Sequence, residues 1–300
     1  MKPEDSISLD QLDPIRNHAL KALKVAGALG CFPTPVSDVM AAARLTLSNE
    51  DVLNDGFLAR IRKKVSDAGG ALKRALTKVW GVIDVTARLV YIDKSVLVVK
   101  QTFLKLHEVA HAILPWQQKI YAVVEDCEKT LAPEISEQFD REANAFASEV
   151  LFQLDAFTHE AADHPLGLKT PLNLSKRYGA SLYSTIRRYV STNQRSCAVL
   201  VLDPPELKTG DGFVCNLRRV IASPSFESLV GQVEWTETFT PDDAIGEFVP
   251  IGRKMSRPRS LRIMNADNVA FDCVAEAFTQ TYHVFILIHS VGAAARVVGF

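Results

Sequence analysis

The sequence contains no CxxC pair, so the paired thiolates that hold many structural zinc ions are missing. Its five cysteines, Cys31, Cys127, Cys197, Cys215 and Cys273, are odd in number and widely scattered. That distribution excludes a disulfide framework and points to a reducing compartment. No glycine-rich loop of the phosphate-cradling kind occurs, so nucleotide binding is not expected. Neither sign of charge is in excess: 34 Lys and Arg face 35 Asp and Glu, for a net charge of −1. A dedicated nucleic-acid binder would carry a basic surplus. The most apolar stretch, "VFILIHSVGAAARVVGF", is interrupted by His289 and Arg296 and reads as strand rather than membrane span. The opening "MKPEDSISLDQLDP" is acidic and polar, unlike a secretory leader. The expectation is a soluble, cytoplasmic protein with no membrane partner.

What is present is an ordinary globular mixture, 47% hydrophobic and 23% charged over 300 residues. The first half reads as helical. Ile15, Ala19, Leu23 and Ala26 fall near helical spacing, and Pro35 suits the first turn of a second helix. "FLARIRKKVSDAGGALKRALTKVW" reads as a basic helix broken at Gly69 and Gly70. "GVIDVTARLVYID" changes period, with β-branched runs at Val82–Val85 and Leu89–Ile92 that suggest a hairpin. "KIYAVVED" reads as an edge strand. "EISEQFDREANAFASEVLFQL" is a strong helix, and "LNLSKRYGASLYSTIRRYV" a pair of short helices about Gly179. From Arg195 onward the segments "CAVLVL", "FVCNLRRVIA" and "YHVFILIH" are strand-like. These readings predict an α+β fold in three parts: a helical region over 1–55, a catalytic-type domain over 56–192 and an α+β domain over 193–300.

The chemistry concentrates in "LKLHEVAHAILPW". Residues four apart share one helix face, so His107 and His111 can address one metal ion. Glu108 lies about 100° round the helix, where a carboxylate can act as base on metal-activated water. Phe103, Leu106, Ala110 and Leu114 form the predicted core stripe, and Pro115 ends the helix. Catalytic zinc takes three protein ligands. The third is sought in "QFDREANAFASEVLFQ", whose apolar face comprises Phe139, Ala143, Phe146, Ala147, Val150, Leu151 and Leu154. On a helical wheel Asp140 falls roughly 55° from the centre of that face and Glu142 roughly 105° away. Asn144 lies on the same flank as Asp140. The wheel favours Asp140, with Glu142 as the fallback ligand.

Taken together, "FLKLHEVAHAILPW" and "FDREANAFASEVLF" resemble the ImmA/IrrE family of zinc metallo-endopeptidases, over roughly residues 30–190. The hairpin before the HExxH helix and the run Ala143–Ala147 belong to the resemblance, as does the helical pair about Gly179. The resemblance implies a small zincin-like core, Zn2+ as cofactor, and Glu108 as catalytic base. It implies His107 and His111 as metal ligands and a third ligand four residues before the asparagine. That position here is Asp140, one methylene shorter than the family's glutamate. It further implies a hydrolase that cleaves a helix-turn-helix transcriptional repressor in stress response. The alternative expectation is a non-catalytic protein- or DNA-binding regulator that retains the fold. DNA contact through Lys176, Arg177, Arg187 and Arg188 is not favoured, for want of a basic excess. The runs Arg60–Lys78 and Arg253–Arg262 read as solvated faces. His159 and His164 read as surface histidines, and Trp116 as either a cleft or a core residue.

Overall fold

A computed structural model describes residues 7–48, 81–84, 88–92, 94–118, 133–208 and 212–291. Helices and sheet are mixed in an α+β arrangement, as expected. Two compact units divide the chain: 1–157 with 176–181, and 158–175 with 182–300.

In the first unit, α1 (Leu9–Val25), α2 (Val36–Ala42), β1 (Thr46–Leu47), β2 (Gly81–Asp84) and β3 (Leu89–Ile92) precede α3 (Val98–Ile113) and α4 (Pro133–Leu151). Strands β2 and β3 pair antiparallel, Gly81 opposite Ile92, and β1 lies parallel to β3. The predicted hairpin thus supplies two strands of a three-stranded sheet, with β3 in the middle. Helix α4 packs against both α1 and α3. Its face of Phe139, Ala143, Phe146, Ala147, Val150 and Leu151 is buried, and Ile15, Ala19 and Leu23 of α1 are buried as well. Arg16 of α1 meets the buried Glu149 of α4 at 3.2 Å, which satisfies a carboxylate that burial would otherwise penalise. Just past α4, the Gln153 side chain accepts from Gly30 N and donates to the carbonyls of Ala28 and Cys31. One buried amide thereby anchors the loop between α1 and α2.

The second unit holds most of α5 (Ala156–Ala162) and α6 (Lys169–Tyr178), then α7 (Leu182–Ser191), β4 (Cys197–Leu202), β5 (Glu206–Lys208) and β6 (Gly212–Ala222). After α8 (Pro224–Val230) come β7 (Thr238–Phe239), a 3-10 turn at Gly246–Phe248, β8 (Arg259–Met264), β9 (Ala270–Gln280) and β10 (His283–Ser290). The sheet order is β5-β6-β4-β10-β9-β8, with β7 beside β6, and every pairing is antiparallel. Ala198, Leu200, Leu202, Val284, Ile286 and Ile288 point into one core with Phe226, Val230 and Phe248. The alternate residues Val199, Val201, Phe285 and Leu287 are also buried and lie on the other face of the sheet. Helix α7 packs on β4 and β6.

The division of the units does not fall at residue 193, where the change of sequence pattern placed a boundary. The change is real, since β4 starts at Cys197, but α7 packs with the strands that follow it. The segment from Thr158 belongs to the same unit, because the carboxylate of Glu276 on β9 accepts from Leu168 N at 2.6 Å. A Cβ at Gly167 would stand 2.8 Å from that carboxylate, so a larger residue there would have to displace the Glu276 side chain. The short helices about Gly179 are present, and Gly179 takes φ +64°, the left-handed turn conformation. Arg177, one of the basic residues considered for DNA, stacks 4.9 Å from the ring of Phe32. The expected basic helix over 57–80 and the strand over 119–126 lie outside the described residues.

Candidate metal centre

Helix α3 has the core stripe that its sequence predicts: Leu106, Ala110 and Leu114 are buried, with Phe103 half-buried. It ends at Ile113, and Leu114 before Pro115 is extended with ψ 113°, as steric conflict with the proline ring requires. The helix brings His107 Nε2 and His111 Nε2 to 3.1 Å from each other. Asp140 reaches over from α4, its Oδ1 3.7 Å from His107 Nε2 and 3.9 Å from His111 Nε2. Among the described residues these three form the group of His, Cys, Asp and Glu side chains close enough to share an ion. The point equidistant from the three atoms is about 2.1 Å from each, inside the range of zinc–nitrogen and zinc–oxygen bonds. The donor set and its spacing therefore fit a divalent metal of the zinc type.

The outer nitrogens of both imidazoles are fixed. His107 Nδ1 lies 3.0 Å from Asn144 Oδ1, and His111 Nδ1 lies 2.7 Å from Gln117 Oε1. An amide oxygen can only accept, so each Nδ1–H donates and each Nε2 keeps its lone pair for the shared point. Gln117 is fully buried. Its amide nitrogen donates to Glu142 Oε2 at 2.8 Å and to the Phe139 carbonyl at 3.2 Å. Glu142 also accepts from Trp116 Nε1 at 2.6 Å and from Gln138 Nε2 at 3.0 Å. Trp116 thus closes over α4, its ring edge-on to His18 at 5.6 Å.

The two carboxylates weighed as third ligand have different surroundings. Asp140 is 59% exposed yet stands beside both imidazoles. Glu142 is 5% exposed and is engaged by Trp116, Gln117 and Gln138, not by the histidines. The wheel places Asp140 nearer the apolar face, and by burial that order is reversed. The helical residues Trp116 and Gln117 that follow α3 supply the cover over Glu142, and no wheel of α4 contains them.

Glu108 is 5% exposed. Burial pushes its carboxyl up to about 7; the charge on His107 opposes the shift and Asp140 adds to it. Among the described residues Glu108 makes no hydrogen bond and no ion pair. A buried carboxylate left in this state, beside His107, His111 and Asp140, is suited to exchange a proton near neutral pH. Burial drives His111 down to about 4, helped by the charge of His107. Burial also acts to lower His107, but its bond to Asp140 and the charges of Glu108 and Asp140 outweigh that and raise it.

Gln117 is the functional residue that pattern reading misses: two glutamines after a Pro-Trp carry no sign of which will be buried. His159 and His164 are exposed and belong to the second unit. Cys127 lies outside the described residues.

No curated protein matches the chain. A solved structure described as a Mycobacterium tuberculosis transcriptional regulator is similar at 11% identity and a TM-score of 0.49, over 92% of this chain and 76% of that one. No described helix is long and apolar enough to cross a membrane. Residues 61–189 match the Peptidase_M78 family, described as the IrrE N-terminal-like domain, and over that segment the ImmA/IrrE assignment carried by the motifs holds.

Proposed function

We propose that this chain is a zinc-dependent endopeptidase acting on one regulatory protein, a helix-turn-helix repressor being the substrate class that the family resemblance suggests. The observation that carries the reading is the convergence of His107, His111 and Asp140 beside a buried Glu108 that has no hydrogen bond or ion pair among the described residues. His107, His111 and Asp140 would hold the ion. Bound zinc supplies Lewis acidity and lowers the pKa of a coordinated water to about 7. Glu108 takes the proton of the attacking water on its carboxylate and returns it to the leaving amine. Gln117 and Asn144 keep the imidazoles in the tautomer that the ligand role needs. The unpaired thiols Cys31, Cys197, Cys215 and Cys273 support a reducing, cytoplasmic setting.

The test is incubation of the zinc-loaded chain with a helix-turn-helix repressor, chosen from a neighbouring gene where one is present. Wild type cuts the repressor, and Glu108→Gln cuts it at least about 100-fold more slowly. Equal cleavage by both, or an intact repressor with wild type, overturns the reading. The exposure of Asp140 favours a second reading, a regulator that keeps the fold without catalysis. It predicts an intact repressor bound to the chain.

A further inference from the structure

The second unit has a cavity of its own, about 550 Å³, where β4 begins and β10 ends. Arg195, Ser196, Ser225, His289 and Ser290 supply its polar wall, and no aspartate or glutamate lines it. Leu166 and Leu229 supply the apolar part. Its size falls in the range of small-molecule sites, about 300–1,000 Å³.

The arginine is the notable member. Its Nη1 donates to the His164 carbonyl at 3.1 Å, and its Nε reaches Asn193 Oδ1 at 3.4 Å. Among the described residues Nη2 is shielded from solvent with no acceptor, and so is the neighbouring Ser196 Oγ. Among the described residues Arg195 has no carboxylate partner. Neutral acceptors satisfy hydrogen bonds but leave a half-buried guanidinium without a countercharge, and such a cation is costly to enclose. A planar guanidinium whose Nη2–H groups lack an acceptor is shaped for a carboxylate or phosphate. The surrounding frame is fixed: Ser290 N donates to the Ser196 carbonyl, Ser223 Oγ to the Arg195 carbonyl, and Ser225 Oγ to the Gln194 carbonyl.

We infer that this cavity is a binding site for a small organic oxyanion, with Arg195 as the anchoring cation, His289 and Ser290 as polar contacts, and Leu166 and Leu229 against the apolar part of the ligand. Rotation of the Arg195 side chain brings Nη2 to the ligand. The site is independent of the metal centre and stands whether or not the chain is a peptidase.

Isothermal titration of the full chain at low chloride tests it with three probes: phenyl phosphate, benzoate and inorganic phosphate. One saturable site per chain is expected. An aryl probe should bind more tightly than inorganic phosphate, because only the former meets the leucines. The tighter of the two aryl probes identifies phosphate or carboxylate as the preferred head group. Arg195→Gln should weaken binding at least tenfold. His289→Asp, which puts a like charge in the wall, should do the same and keeps the test open if the arginine variant fails to fold. Arg262→Gln, an exposed cation on β8, and His107→Ala should leave the affinity unchanged. No saturable binding by wild type overturns the site, as does equal affinity in wild type, Arg195→Gln and His289→Asp.

Discussion

The helices α3 and α4 and the strands β4, β9 and β10 are both closely packed, yet they bury different chemistry. The strands enclose Val199, Leu200, Ala277 and Ile286 almost without polar cost. Their buried carboxylate, Glu276, is satisfied by a backbone N–H. The helices bury Glu108, His111, Glu142 and Glu149 within a few turns. Glu149 has Arg16, and Glu142 has three donors. Glu108 has neither among the described residues, and its carboxyl is pushed up to about 7 by burial. The strands bury a carboxylate only where a donor meets it, while the helices keep an ionisable group in an environment that disfavours its charge. That asymmetry separates a site from a scaffold more sharply than the HExxH spelling does.

The largest expected effect breaks the scaffold side. Phe285 is fully buried on β10, so Phe285→Ala should cost about 3–5 kcal/mol, read from denaturant unfolding. The metal stoichiometry of the folded fraction should not change. If the metal is lost along with stability, the contrast between the regions fails.

A smaller effect of opposite sign belongs to Glu108. Its folded carboxyl holds a proton more tightly than the unfolded one, whose ordinary value is 4.5. Folding stability therefore falls as pH rises from about 4.5 to about 7 and is flat above. Glu108→Gln removes that penalty. In chelator-treated protein it should add about 3 kcal/mol at pH 8 and nothing at pH 4. A destabilised variant at pH 8 would show that Glu108 is structural.

Gln117→Ala sharpens the comparison within the site itself. Freed of its partner, His111 can turn, and zinc affinity should fall about 10- to 100-fold, measured by competition with a chromophoric chelator. The least effect is kinetic: burial pushes the thiols of Cys197, Cys215 and Cys273 up to about 11. In native protein at pH 8 an alkylating reagent should therefore label the exposed Cys31 first, with those three following only on unfolding. Mass mapping of the adducts checks this.

Much of this was legible from residue order because it is local. The i, i+4 spacing of His107 and His111, the stop before Pro115 and the apolar face of α4 all depend on helix period and proline sterics. The left-handed turn at Gly179 is local as well, since it depends on glycine having no Cβ. The cover over Glu142 was not legible, because it comes from Trp116 and Gln117 in a different segment. For the same reason Asp140 proves exposed although the wheel puts it nearer the core. The division between the units escaped sequence reading as well. It rests on contacts such as Glu276 with Leu168, more than a hundred residues apart, and no window of sequence contains both.

The central claim is that His107, His111 and Asp140 share one divalent ion. Zinc content of the purified, zinc-reconstituted chain, measured by inductively coupled plasma mass spectrometry beside His107→Ala and Asp140→Ala, tests it most directly. One zinc per wild-type chain is expected, falling below about a tenth in His107→Ala and weakening at least tenfold in Asp140→Ala, since removing a metal ligand costs at least as much as removing the group that orients it. A wild-type chain that binds no zinc, or variants that retain it undiminished, would contradict the account.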